Sequence, residues 1–446
     1  MEELIYMIPE TIKLKQILEY FELNAIDYVL VGEDSTKLKS CIDGDIDIVV
    51  SNRKIRTICS IVIDLCKFLD LRCVQLLQHE LTAYYFVLTW QEHNTWYYLK
   101  LDICSDYMCN SKCMIKAEEL LDRKIKDEST GFYIPYPANN FIYYLIKKIN
   151  KCSISEEQFS YLCSNREYCT DCELDSLKVF WSEEQSEKII SILRENDLTA
   201  FQNNISSLRD SLNKTIRASF FNVLKEQRRL IKRILKPTGL WLAIYGPDGC
   251  GKSSVIEKLQ PILLPAFRRT QTIHFRPRLG SSPSYTSEPV LDPHASKPRN
   301  PLSSILKLGY YGADYIVGYF VKVLPAKICS TLFIFDRYYD DIIIDQKRYC
   351  YGGPIFLLKW LRFFIPKPDL IFCLDAAPEI LQARKAEVSF EECKRQREAY
   401  KELVLKLKNG YVIDSSQALN QVVNDVQSII LEHMNNKIEQ QIGQSK

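Results

Sequence analysis

Residues 246–253 read Gly-Pro-Asp-Gly-Cys-Gly-Lys-Ser, and no other stretch limits so sharply what the chain can fold into. The octet fits G-x-x-x-x-G-K-[S/T], follows the apolar run LWLAIY and precedes the helical pattern SSVIEKLQPIL. A glycine-rich turn between a buried strand and a helix lets backbone N–H groups wrap an oxyanion, and the helix N-terminus adds a favourable field. Lys252 is expected to neutralise the β and γ oxygens of a nucleotide triphosphate, and the Ser253 hydroxyl to ligate Mg²⁺. Gly246, Asp248, Gly249, Cys250, Gly251, Lys252, Ser253 and Ser254 are the expected cradle, which makes ATP and Mg²⁺ the expected cofactors.

Beyond the octet, the runs TQTIHF, LFIFD, DLIFCLD and YVID are of strand length and are separated by helical segments. That alternation predicts an α/β domain of three layers, helices on both sides of about five parallel strands. In such sheets ligands collect at the carboxyl ends of the strands. Asp336 ends LFIFD, where a carboxylate would face the metal, and Arg337 would point at an acceptor anion.

Several of these residues carry a resemblance. GPDGCGKSS, the run Asp336-Arg337-Tyr338, PDLIFCLD with Asp375, and RKAEVSFEECKRQREAYKEL resemble the thymidylate kinase family of P-loop nucleoside monophosphate kinases across roughly residues 238–435. The resemblance implies that Lys252 and Ser253 serve ATP and Mg²⁺, that Asp248 reaches the acceptor sugar, and that Asp336 and Arg337 serve metal and acceptor phosphate. It also implies a mobile lid, whose place is taken here by Arg384, Lys385, Arg395 and Arg397, and it is compatible with a dimer. Phosphoryl transfer needs cations around the migrating group, and the octet has no arginine, so Arg384 and its neighbours are the expected source. The bland alternative for that stretch is a solvated helix paired with Glu387, Glu391 and Glu392.

One segment departs from the family. HFRPRLGSSPSY stands where thymidylate kinases carry an Arg-Glu-Pro-Gly-Gly-Thr-like loop; Arg276 and Arg278 remain as anion ligands, and the insertion up to DPHASKPRN adds His294, Lys297 and Arg299. The variant is similar to thymidylate kinase-like proteins encoded among bacterial surface-polysaccharide genes. A nucleotide or a phosphorylated sugar is therefore the expected acceptor, with thymidylate one candidate.

A second set of acids lies near the N-terminus. YVLVGEDSTKLKSCIDGDIDIVV puts Asp45 and Asp47 two apart, hence on one strand face, and WYYLKLDI embeds Asp102 in another strand. Three carboxylates on one sheet face repel unless divalent metal neutralises them, and two Mg²⁺ ions so held would align a nucleotide α-phosphate with a hydroxyl. Gly32 after a strand, then Asp-x-Asp, then a lone strand aspartate resembles the minimal nucleotidyltransferase superfamily over about residues 20–150. That family follows its glycine with serine; Glu33 stands here.

The chain is thus expected to hold a nucleotidyltransferase-like α/β domain with a mixed sheet at 1–151, a helical connector at 152–237 and a thymidylate kinase-like domain at 238–446. With 446 residues, one core would be too large. A net charge of +2 gives no overall reason to bind nucleic acid, and the basic run Arg228, Arg229, Lys232, Arg233 and Lys236 reads as a solvated helix face. The 16 cysteines, spread along a chain that opens MEELIYMIPE without a basic leader, read as reduced thiols in a cytoplasmic protein. Cys163, Cys169 and Cys172 lack the second ligand pair that zinc needs. No apolar run is long and unbroken enough to span a membrane. Three functions stay open: a kinase fused to a nucleotidyltransferase-like domain, a nucleotidyltransferase with the P-loop domain as ATP sensor, and a non-catalytic assembly protein switched by ATP.

Overall fold

A computed structural model describes residues 8–32, 44–279 and 297–444, so Glu33 and His294 lie outside the described residues. Its internal contacts divide the chain into two compact units, Met1–Lys232 with Asn435–Lys446, and Arg233–Met434. No described helix is long and apolar enough to cross a membrane.

The first unit is built on a mixed five-stranded sheet. Its strands are β1 (Tyr28–Leu30), β2 (Ile46–Val50), β3 (Arg72–Glu80), β4 (Ala83–Glu92) and β5 (Thr95–Cys104), in the order β1-β2-β5-β4-β3. β2 runs parallel to β5, and the other pairings are antiparallel. Side chains alternate across a strand, and here the alternation separates two cores. Ile46, Ile48, Val50, Leu101 and Ile103 pack with the helices Pro9–Leu23 and Ile58–Phe68. Val29, Val31 and Val49 pack on the opposite side with the helix Pro137–Lys151. Asp47 and Asp102, one position out of phase with the first set, therefore share the face that looks toward Pro137–Lys151.

The helical stretch expected as a connector joins this second core. Phe159, Leu162, Trp181, Ile189, Phe201 and Leu212 belong to one cluster with Tyr144, Leu145 and Ile149. Its helices carry clear start signals: Ser155 caps Glu156–Glu167 in a reciprocal box with Gln158, and Thr170 does the same with Glu173. Described cysteines of both units, Cys163, Cys169 and Cys172 included, are free thiols.

The second unit has the three-layer α/β fold read from the alternating runs. β10 (Leu240–Tyr245), β11 (Arg269–His274), β12 (Thr331–Asp336), β13 (Leu370–Asp375) and β14 (Gly410–Asp414) form one sheet in the order β11-β12-β10-β13-β14; the numbering leaves β6 to β9 to the short pairs Tyr107–Cys109 with Lys112–Ile115 and Ile125–Lys126 with Tyr133–Ile134. All its pairings are parallel. β10 and β12 are buried along their whole length, which is why they read as continuous apolar runs with no alternation. The order reverses beside β10, so the strand feeding the glycine-rich octet sits at the switch point where such sheets open a crevice.

Candidate functional site

In the second unit the octet wraps from the end of β10 to the helix Lys252–Leu263. Gly246, Gly249 and Gly251 hold φ of 141°, 82° and 90°, values that a side chain resists. A Cβ on Gly246 would lie 2.6 Å from both Cys250 Sγ and the Leu374 carbonyl oxygen, and one on Gly249 would lie 2.6 Å from the Leu381 carbonyl oxygen. Gly251 differs, because nothing lies within 4 Å of where its Cβ would be. It is the N-cap of the helix and no side chain caps it, so the first-turn amides look into open space. That geometry fits a polyphosphate, the ligand the octet implies.

Lys252 Nζ lies over the loop, donating to the carbonyls of Gly246 at 2.8 Å and Pro247 at 2.9 Å. Strand register brings the next pieces. Asp336 ends β12 level with Ile244 on one side and His274 on the other, and its carboxylate meets His274 Nδ1 at 3.2 Å. Burial pushes the Asp336 carboxyl up, but the hydrogen bond from His274 and the charges of Lys252 and Arg337 outweigh it and bring it down to about 2. An ionised carboxylate lining the same cavity as Ser253 suits a divalent cation. Ser253 and Ser254 are exposed at that end.

Beyond the loop the cavity, about 810 Å³, is lined by Asp248, Arg337, Arg348, Arg384, Lys385, Glu387 and the loop itself. Arg337 sits with a φ of 68° and is 4% exposed, donating from Nη1 to both Asp341 oxygens at 3.2 Å and from Nη2 to Asp248. Burial opposes its charge, yet Asp341, Tyr400 and Asp248 hold it firmly protonated. Arg348 also donates to Asp248, and to Asp345 at 3.2 Å and Glu387 at 3.4 Å. Two guanidinium groups therefore share Asp248, whose carboxyl they and Lys252 hold well below its usual range against the opposing effect of burial.

The lid-like stretch separates into two groups. Arg384 and Lys385 line the cavity, Arg384 donating to the Ser415 carbonyl at 3.0 Å. Arg397 instead forms a double hydrogen bond with Asp375, at 2.6 and 2.9 Å, and Arg395 pairs with Glu392 and the Ile344 carbonyl. Arg276 is held by the buried Asp314 at 2.8 Å and lies over the rings of Tyr310 and Tyr311, whereas Arg278 lines the cavity. Arg348 and Asp341 escaped the sequence reading. Arg348 sits in QKRYCYGG, a stretch without periodicity or motif, while Asp341 follows Asp336-Arg337 by one helical turn and could have been flagged as its i,i+4 partner.

Comparison with known proteins bears on this half of the chain. A segment here is similar to a thymidylate kinase-type protein. It is 29% identical over 210 residues to a protein of Staphylothermus marinus described as a probable thymidylate kinase, which covers 44% of this chain and 96% of that protein. No family model matches the chain. The likeness agrees with a phosphotransferase of nucleotide-kinase type and with the parallel sheet just described.

The first unit has its own cavity, about 1290 Å³, lined by Asp45, Asp47, Asp102 and Glu80 and by Lys147, Lys148 and Lys151 of the helix Pro137–Lys151. Parallel pairing of β2 and β5 sets Asp47 level with Asp102. A Cβ on Gly32, whose φ is 110°, would come within 3.3 Å of Asp47 Oδ2, so the glycine lets the loop approach the carboxylate. Asp45, Asp47 and Asp102 line this one cavity, each with a partner of its own: Asp45 accepts from the Tyr85 hydroxyl at 3.1 Å, Asp47 from Lys147 Nζ at 2.6 Å, and Asp102 faces His79 Nε2 at 3.4 Å. Among the described residues no three His, Cys, Asp or Glu side chains gather as a metal-ligand group. The cation beside Asp47 is Lys147, which the sequence reading left out although it lies on the same helix face as Tyr143 and Tyr144. Asp102 keeps one buried oxygen without a hydrogen-bond partner, and burial, reinforced by the charge of Asp47, pushes its carboxyl up to about 8. That residual electrostatic demand is what a further cation would relieve.

Proposed function

We propose that the second unit transfers the γ-phosphoryl group of ATP to a small acceptor, as nucleoside monophosphate kinases do, the acceptor being a nucleotide or a phosphorylated or hydroxylated sugar. One observation carries the reading: the open amide cradle at Gly251, the carboxylate of Asp336 and the paired arginines at Asp248 line a single cavity. In this reading Lys252 and the loop amides from Gly246 to Ser254 bind the triphosphate and fix its orientation. Ser253 and Asp336 would hold Mg²⁺, which when bound neutralises charge on the phosphate oxygens. Asp248 and Arg337 position the acceptor at the other end, and Arg384 lies where a cation can meet charge developing on the migrating group. With a phosphate acceptor the attacking oxygen is already ionised, and no base has to take a proton.

The test is a Lys252→Ala variant assayed with γ-labelled ATP against a panel of nucleoside monophosphates, phosphorylated sugars and free sugars. Label should move to one acceptor class with the native protein, and fall by a factor on the order of 10² or more with the variant. Undiminished transfer by a folded Lys252→Ala protein would dismiss the reading.

A second activity is favoured by the first unit's cavity. The side-by-side Asp47 and Asp102, with lysines on the facing helix, support nucleotidyl transfer from a nucleoside triphosphate by a nucleotidyltransferase-like domain. Asp45, Asp47 and Asp102 would hold its Mg²⁺, provided Lys147 withdraws from Asp47. α-Labelled nucleoside triphosphates give the check. The reading predicts label on an acceptor, lost on Asp47→Asn, and stable absence of label with every triphosphate would remove it.

A further inference from the structure

The helix Phe220–Leu235 is built inside out. Its half-buried residues, Asn222, Glu226, Arg229 and Arg233, recur at helical spacing and are all polar. Asn222 donates to the Ser111 carbonyl at 3.4 Å, and Arg229 donates to the Gln78 carbonyl at 2.6 Å and to Glu226 at 2.9 Å. On the opposite side Phe220, Leu224, Ile231, Ile234 and Leu235 are 77%, 51%, 56%, 52% and 75% exposed, and no residue of the helix is buried. A surface helix ordinarily turns its apolar stripe to the core. Scattered apolar side chains at a surface need no explanation, but a stripe repeated over about four turns marks a face that meets something apolar.

The charges beside the stripe decide what it meets. Of the basic run read from the sequence as a solvated face, Arg229 is paired with Glu226, and Arg233 donates to the Ile328 carbonyl at 3.1 Å. Lys225, Arg228, Lys232 and Lys236 are exposed, and none has an ion pair or hydrogen bond to a described residue. They edge the stripe: Arg228 lies one turn from both Leu224 and Ile231, and Lys232 one turn from Leu235. Glu226, the acid of this helix, is already taken by Arg229. Two copies meeting through the helix would bring both sets of cations to one seam with no unpaired acid of the helix to answer them, whereas an anionic surface is complementary. An apolar face edged by lysine and arginine is the composition of helices that lie in the plane of a membrane interface.

We propose that the helix Phe220–Leu235 docks the protein on an anionic phospholipid surface. Its apolar stripe enters the headgroup boundary, and Lys225, Arg228, Lys232 and Lys236 meet the lipid phosphates. The full-length protein is floated with vesicles of phosphatidylcholine alone and of phosphatidylcholine with phosphatidylglycerol, at low and high salt. Binding should be about tenfold stronger on the anionic vesicles and weaken with salt. A Leu224→Gln, Ile231→Gln variant should lose most of it, and Arg228→Gln, Lys232→Gln should lose the preference for anionic lipid. Both variants alter exposed side chains, and each should keep its circular dichroism and phosphotransfer. Absence of flotation with anionic vesicles at low salt overturns the proposal, as does flotation that the Leu224→Gln, Ile231→Gln variant retains in full. A stable dimer in sedimentation that this variant dissociates also overturns it, since the stripe would then be covered by a second copy.

Discussion

At the scale of single residues the two glycines flanking Cys250 make different demands. Gly249 faces the Leu381 carbonyl, and alanine there would meet both a backbone oxygen and an unfavourable φ of 82°. Gly251 has only the φ of 90° against it, since the space in front is open. Gly249→Ala should therefore destabilise the second unit by roughly 3 kcal/mol, and Gly251→Ala by about 1 kcal/mol. ATP affinity, measured by calorimetry on the folded variants, should reverse that order of severity, because a methyl group at 251 fills the cradle. Equal loss of stability in the two would show that the loop is not held as described. Glu80 offers a test of the first unit. Burial, helped by the charge of Glu226 and opposed by Arg229 and Lys147, pushes its carboxyl up to about 7. A raised carboxyl binds its proton more tightly folded than unfolded, so its stabilising effect is complete below about pH 4 and disappears as pH rises through 7. On the order of 2 kcal/mol, allowing for partial solvation, should be lost between those values in denaturant titrations. Glu80→Gln should flatten that slope, and an unchanged slope would contradict the assignment.

At the scale of elements, the sequence reveals what is periodic and conceals what is assembled from afar. The octet, the buried runs β10 and β12 and the alternation of Ile46, Ile48 and Val50 all announce themselves, because a local period reflects a local environment. So do Asp47 and Asp102, although their level pairing across β2 and β5 is a matter of register that no single strand contains. Arg348 and Lys147 were not legible as site residues, since each acquires its role from a partner about a hundred positions away, Asp248 for one and Asp47 for the other. The lid stretch shows the opposite limit: its arginines look alike in sequence, yet Arg384 ends the helix Pro378–Arg384 at the cavity, whereas Arg397 lies on the next helix, Phe390–Leu405, bound to Asp375. The charged helices after residue 152 read as a connector because their apolar positions are sparse, yet Phe159, Ile189, Phe201 and Leu212 suffice to make one core with Pro137–Lys151. If so, their caps matter to the first unit. Ser155→Ala, which removes the reciprocal box with Gln158, should lower the stability of that unit by about 1 kcal/mol in chemical unfolding followed by a probe specific to it. No change would mean that the helix Glu156–Glu167 is not part of its cooperative core.

At the scale of the whole molecule, two compact units each carry a cavity, and the chemistry of the two differs. The second cavity brings together the glycine-rich octet, an ionised aspartate and paired arginines, the groups that the proposed phosphoryl transfer calls for. The first, a larger space, is lined by both acids and lysines, with Lys147 paired to Asp47. A ligand that binds one unit stabilises that unit by about 2.7 kcal/mol at a concentration a hundredfold above its dissociation constant. Calorimetric scans with ATP and Mg²⁺ should accordingly raise one unfolding transition. The most direct measurement is acceptor-dependent transfer of the γ-phosphoryl group, read by mass spectrometry of mixtures containing the pure protein, ATP, Mg²⁺ and the acceptor panel. The account predicts a single added phosphate on a nucleotide or sugar acceptor with stoichiometric ADP, abolished in Lys252→Ala. ATP left intact with every acceptor, or product formed equally by that variant, would contradict it.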